Sequence, residues 1–135
     1  MALKPWIQTI TRGRYSDVLV DVETLTVRVA GDSRKWREVG LLSHGTAEQI
    51  CLLLRVAMTR HLTKKGEICP LILDDVTVHC DEDRRHQVLT LLHEISKVQQ
   101  IVLFSKEAGV LDWAKTQLSG DRDRITELDA SGVPA

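Results

Sequence analysis

Leu41-Leu42-Ser43-His44-Gly45-Thr46-Ala47-Glu48-Gln49 decides how this chain of 135 residues is read. A loop of small and hydroxyl-bearing residues opens directly into an amphipathic run. Apolar positions recur at Ile50, Leu53, Leu54, Ala57 and Met58 and continue to His61, the i, i+3, i+4, i+7, i+8 spacing of one helix face. This predicts a helix from about Thr46 to Leu62. A helix start offers about four free backbone N–H groups and a partial positive charge of roughly half a unit. It therefore favours an anion, most commonly phosphate. Gly45 has no Cβ, so the backbone there can come close to such a group. An ordinary capped helix uses the same residues, with Ser43 or Thr46 as the cap, and the loop alone does not separate the two.

Outward from this stretch, the pattern on the N-terminal side has period two. Val18, Val20 and Val22 alternate with Asp17, Leu19 and Asp21, and Leu25, Val27 and Val29 alternate with Thr24, Thr26 and Arg28. These read as two antiparallel strands joined near Glu23. Gly31-Asp32-Ser33 is a turn, and Lys35 to Val39 gives a third, weaker strand in which Trp36 fits either core or surface. Trp6, Ile7 and Ile10 suggest a short helical turn ahead of the basic turn Thr11-Arg12-Gly13-Arg14-Tyr15.

On the C-terminal side, Lys64-Lys65-Gly66 closes the long helix. Ile68-Cys69-Pro70-Leu71-Ile72-Leu73 is a continuous apolar run, as expected of a parallel strand buried on both faces. It stops at Asp74-Asp75. The carboxyl end of such a strand is where open α/β sheets place ligands. Adjacent carboxylates repel unless a cation or proton lies between them, and magnesium takes one or two carboxylates together with phosphate oxygens and waters. Asp81-Glu82-Asp83 opens a helix with Val88, Leu89, Leu92 and Ile95 on one face. Gln99 to Phe104 is a second buried strand, ending in Ser105-Lys106-Glu107. Gly109 to Leu118 is a helix, Arg124 to Leu128 a short edge strand, and Asp129 to Ala135 a disordered tail. The fold class is α/β, with antiparallel strands first and then parallel strands alternating with helices.

Composition excludes several classes. The net charge of −1 advertises no global affinity for nucleic acid. The apolar runs fall short of the ~20 residues of a membrane span, and Met1-Ala2-Leu3-Lys4-Pro5-Trp6 is not a signal peptide. Cys51, Cys69 and Cys80 form no CxxC pair. Cys51 and Cys69 lie in apolar segments, which suits packed, reduced thiols in a cytoplasmic protein. His79, Cys80 and His86 lack the second cluster and the spacing of a zinc site. Arg55 and Arg60 fall off the apolar helix face and read as solvated surface.

Leu42, Ser43, Gly45 and Gln49 resemble, in order, the LSxGxxxQ signature of ABC-type ATPases. The continuation is similar to the SMC/RecN/SbcC class, and within it to the YhaN-like bacterial branch. The apolar run ending in Asp74-Asp75 resembles a Walker B motif, Val78 to Arg84 a D-loop, and Val102 to Lys106 the strand that ends in a switch histidine. The resemblance implies an ATP-binding head in which Ser43, His44, Gly45 and Gln49 attend the nucleotide of the opposite head. It makes Asp74 the magnesium-side acid, Asp75 the residue acting on the attacking water, and Asp81 the D-loop aspartate at the dimer interface. His79-Cys80 departs from the usual Asn-Phe, and Lys106 takes the place of the switch histidine. Lysine only donates, whereas neutral histidine also accepts, which implies slow hydrolysis.

No GxxxxGK[ST] phosphate loop occurs in the 135 residues, and an ATPase of this class needs one. The expectation is therefore the C-terminal half of a head, excised or naturally truncated and inactive alone. Residues 1–16 would be the stub of a coiled-coil arm or a disordered leader, 17–128 the lobe, and 129–135 the tail. ATP and Mg2+ would be used only in a complete head dimer. The implied partners are an N-terminal phosphate-loop lobe, a second head and DNA, with no membrane. The alternative is a non-catalytic dimerisation or regulatory module derived from such a head.

Overall fold

The computed structural model describes residues 4–21, 23–31, 33, 35–62 and 69–128, with the backbone alone at 60–62. The chain forms two compact units, 1–105 and 106–135.

In the first unit, helix α1 (Lys4–Ile10) inserts Ile7 and Ile10 into the core. The reversal that follows is tightly bonded. Thr11 Oγ1 donates to the Ile7 carbonyl at 2.6 Å and accepts from the Tyr15 N–H at 3.1 Å. The Gly13 N–H closes on the Gln8 carbonyl at 2.7 Å, and Gly13 has a φ of 75°. Strands β1 (Asp17–Asp21), β2 (Thr26–Ala30) and β3 (Trp36–Glu38) form an antiparallel sheet in the order β1-β2-β3. Val29 and Ala30 are buried, and Arg28 pairs across the strands with Glu38 at 3.5 Å. Trp36 is a surface residue.

The hairpin differs from its sequence reading at Leu25. This residue is 79% exposed at a φ of 55° and belongs to the turn, not to the strand. The cause is local. Asp21 Oδ1 accepts from the Glu23 and Thr24 N–H groups at 3.0 and 3.1 Å and curls the chain before β2 begins. The same bonds, that from Thr24 foremost, hold the Asp21 carboxyl below its ordinary pKa. The expected turn at Asp32 and helix end at 64–66, as well as the tail at 129–135 and Val22, lie outside the described residues.

Helix α2 (His44–Leu62) starts two residues earlier than its apolar period suggests. Its buried stripe is also rotated. Thr46, Gln49, Ile50, Leu52, Leu53 and Val56 are buried, whereas Met58 is 64% exposed. Two polar residues, Thr46 and Gln49, occupy inner positions, so hydrophobicity alone misplaced the face. Cys51 therefore turns outward. It and Cys69 are free and exposed, against the packed thiols expected. Arg55 is exposed, as anticipated.

β4 (Leu71–Asp74), α3 (Glu82–Ser96) and β5 (Ile101–Phe104) form a βαβ unit with parallel strands paired Leu71↔Ile101 through Asp74↔Phe104. On α3, Val88, Leu89, Leu91, Leu92 and Ile95 are buried, the expected face with one addition. β4 corrects the sequence reading. Leu71 and Leu73 are buried but Ile72 is 66% exposed, so one face only is covered. β5 is half-buried and Phe104 exposed. A continuous apolar run reports the capacity to be covered on both faces, not what covers it. The core joins α1, α2, α3 and both sheets.

The second unit contains α4 (Ala108–Gln117), with Val110 buried. Lys115 pairs with Glu127 at 2.7 Å. The expected strand over Arg124–Leu128 is absent there, and Leu128 alone makes a bridge. No helix among the described residues is long and apolar enough to cross a membrane.

Candidate functional site

A single 3-10 turn at Val39–Leu41 delivers the chain to Ser43, immediately ahead of α2. The Ser43 carbonyl accepts from the Ala47 N–H at 3.0 Å, and its hydroxyl lies 2.8 Å from that of Thr46. Ser43 thus holds the cap position, while Thr46 is buried beneath it. Ser43 and His44 are exposed while Gly45 and Thr46 are buried, so only the front of the loop faces solvent at the helix start, where free N–H groups favour an anion. Gln49 is only 3% exposed, and its Nε2 has no hydrogen-bond partner among the described residues.

Gly45 is a point of close approach. A Cβ there would lie 3.1 Å from the His79 carbonyl and 3.1 Å from Arg84 Nη1. The first turn of α2 thereby rests on the connection between β4 and α3. The His44 and His79 rings meet edge-on, with centroids 4.6 Å apart. Glu48 Oε1 lies 3.2 Å from His44 Nε2 and 3.9 Å from His79 Nε2. Arg84 in turn is held by Asp81. Asp81 Oδ1 caps α3 by accepting from the Arg84 N–H at 2.8 Å, and Oδ2 lies 3.4 Å from Arg84 Nε. Arg12 in the 11–15 turn pairs with Asp83 at 3.2 Å, tying that turn to the same helix start.

Asp74 is the last residue of β4 and is exposed at the carboxyl end of the parallel pair. Asp75 is half-buried and sits in the left-handed region at a φ of 48°. Its N–H donates to the Phe104 carbonyl at 2.9 Å, which fixes the strand tip. A non-glycine residue with positive φ is uncommon, and such strain clusters at functional sites. The chain then turns through Thr77, 1% exposed, to His79 and Asp81. His44 and Gly45 are thus brought onto the loop that runs from the paired acids to Asp81, with Ser43 next to them in the chain. Lys106 opens the second unit, exposed, two residues ahead of α4.

Sequence reasoning missed Glu48 and Arg84. The i, i+4 spacing of His44 and Glu48 and the i, i+3 spacing of Asp81 and Arg84 are visible in the sequence. What they bring together is not.

The Rad50 DNA double-strand break repair ATPase of Thermococcus kodakarensis is 33% identical over 110 residues, covering 79% of this chain and 12% of that protein. The uncharacterized protein YhaN of Bacillus subtilis is 38% identical over 109 residues, covering 79% and 11%. The chain belongs to the SMC/RecN class of ATPase heads. No family model matches this SMC-like chain. Its fold is shared with a solved chain from work on ATP-driven dimerization and DNA-stimulated activation of SMC ATPases. That match has a TM-score of 0.61 at 15% identity, over 98% of this chain and 84% of the other. The SMC-like chain spans 11–14% of the length of the curated relatives it matches.

Proposed function

We propose that this chain is the C-terminal lobe of an SMC/RecN-like head that hydrolyses ATP between two heads, in DNA repair or chromosome maintenance in the cytoplasm. The observation that carries the reading is the corner at Gly45, where the signature-like loop rests on the segment linking the acidic strand tip to Asp81. In this reading Ser43, His44 and Gly45 cap the γ-phosphate of a nucleotide bound by the opposite head. Gln49 supports that loop from beneath, and Asp81 reaches the interface. Asp74, an exposed carboxylate at a strand tip, is a hard oxygen donor of the kind Mg2+ takes. When bound, Mg2+ would neutralise charge on the phosphate oxygens. Asp75 orients or deprotonates the attacking water, and its hydrogen-bonded backbone fixes where that carboxylate starts. Catalysis then consists of positioning and charge stabilisation.

An N-terminal lobe supplies the phosphate loop that these 135 residues do not contain. The exposed Ile72 and Phe104 support this reading, since parallel sheets are covered on both faces. The relatives named for DNA double-strand break repair support a DNA role for the full assembly. The test is ATP turnover by the chain alone and co-expressed with a phosphate-loop lobe. The chain alone should be nearly inactive and the pair active, and Asp75→Asn should lower turnover at least ~100-fold. An inactive pair with an intact phosphate loop would remove the catalytic role.

Lys106 favours a second reading, a non-catalytic dimerisation or regulatory module, because a lysine at the switch position is a poor relay. Under that reading Asp75→Asn leaves partner binding intact and there is no turnover to lose.

A further inference from the structure

His44, Glu48 and His79 use none of their metal-binding capacity in the proposed ATPase. Among the described residues they are the one group of three or more His, Cys, Asp or Glu side chains whose ligand atoms all lie within 4.8 Å of one another. His44 and Glu48 share the first turns of α2 at i, i+4 spacing, which puts both on one side of the helix. His79 comes from the β4–α3 connection, held against that turn by the close approach at Gly45. The donor set is therefore preassembled from two segments, by packing that does not depend on a metal.

We propose that His44, Glu48 and His79 form a transition-metal site of the zinc class that clamps the start of α2 to the β4–α3 connection. Two imidazoles and a carboxylate are a known zinc donor set, in which a fourth position is left to water or another ligand. The spacing suits it. A tetrahedron with metal–ligand bonds of about 2.0–2.1 Å has edges of about 3.3–3.4 Å. The two contacts to Glu48 Oε1, at 3.2 and 3.9 Å, bracket that edge. Small rotations of exposed side chains close the remaining gap, and the solvent-facing His44 gives the ion a path of entry. The Arg84 charge beside the cluster is offset by Asp81. Imidazole nitrogen selects zinc, cobalt, nickel and copper over the magnesium that carboxylates alone would take. This site is thus chemically separate from Asp74.

The experiment is titration of the 135-residue chain with Zn2+ by calorimetry and with Co2+ by visible absorption, under reducing conditions. We expect one equivalent bound, a cobalt spectrum without a sulfur charge-transfer band, and a Zn2+-dependent rise in Tm. His44→Ala, Glu48→Ala and His79→Ala should each weaken binding by at least about tenfold, the lower bound seen even for residues that only support ligands. His86→Ala and Cys51→Ser should leave it unchanged. His44→Gln and circular dichroism separate lost ligation from lost folding. The proposal is overturned if His79→Ala binds like the parent chain, if a thiolate band appears, or if no stoichiometric binding occurs. ATP turnover is not measured, so the outcome is independent of the ATPase reading.

Discussion

The two sheets of the first unit are built from similar apolar strands but end in different states. In the antiparallel sheet the neighbouring elements are local, and β2 buries Val29 and Ala30 while the flanking β1 and β3 leave Leu19, Val20 and Trp36 at 44–48% exposure. In the parallel pair, β4 buries Leu71 and Leu73 on one side and leaves Ile72 at 66% exposure on the other. An antiparallel sheet is stable with one wet face, whereas parallel strands are ordinarily covered on both. The difference is one of degree: the antiparallel sheet exposes apolar side chains in its flanking strands and keeps its central strand half-buried or buried, whereas the parallel pair exposes Ile72 and Phe104.

The contrast is most sharply tested within β4. Leu73→Ala should destabilise the chain by about 2–5 kcal/mol, while Ile72→Ala should stay within about 0.5 kcal/mol, both read from denaturant midpoints. Equal losses would mean that the outer face is already covered. If that face awaits a phosphate-loop lobe, Ile72→Asp should leave the chain folded yet abolish co-purification with the lobe. On the antiparallel side, a Cβ at Gly31 would lie 2.5 Å from the Arg14 carbonyl, a backbone atom with nowhere to go. Gly31→Ala should therefore cost about 1–3 kcal/mol, as overpacking does. Asp81→Ala removes a helix cap and should cost about 1 kcal/mol.

The smallest effect concerns Asp21. Its carboxyl titrates below the ordinary carboxylate value in the folded chain. The stabilisation it gives the hairpin is therefore present above that ordinary value and lost as pH falls through the lower folded one. An NMR titration should show the Glu23 and Thr24 amide signals moving in that acid range, and Asp21→Asn should reduce the change.

Much of this architecture was legible because α3 and α4 follow a simple helical period and the letters of β1 and β2 alternate, although Val20, on the face expected to be covered, is 44% exposed. The errors have separate physical causes. At α2, buried Thr46 and Gln49 took places that a hydrophobic count gives to Met58. At β4, the same letters encode a strand covered on one face or on two. At Leu25, an Asx-type turn overrode alternation. In the candidate site, Ser43, Gly45 and the acids resemble a motif in their order along the chain. The meeting of Glu48 with His79 was not legible, because it depends on how closely two distant segments pack.

The bonds around Thr11 bear on how the molecule handles force. A helix joined to a strand by a slack hinge would absorb a pull by straightening the hinge. Here the reversal is cross-braced by Thr11 Oγ1 and by Gly13, and Arg12 anchors it to Asp83. A pull applied to α1 would therefore load the hydrogen bonds at Thr11 and Gly13 before it reached the hairpin.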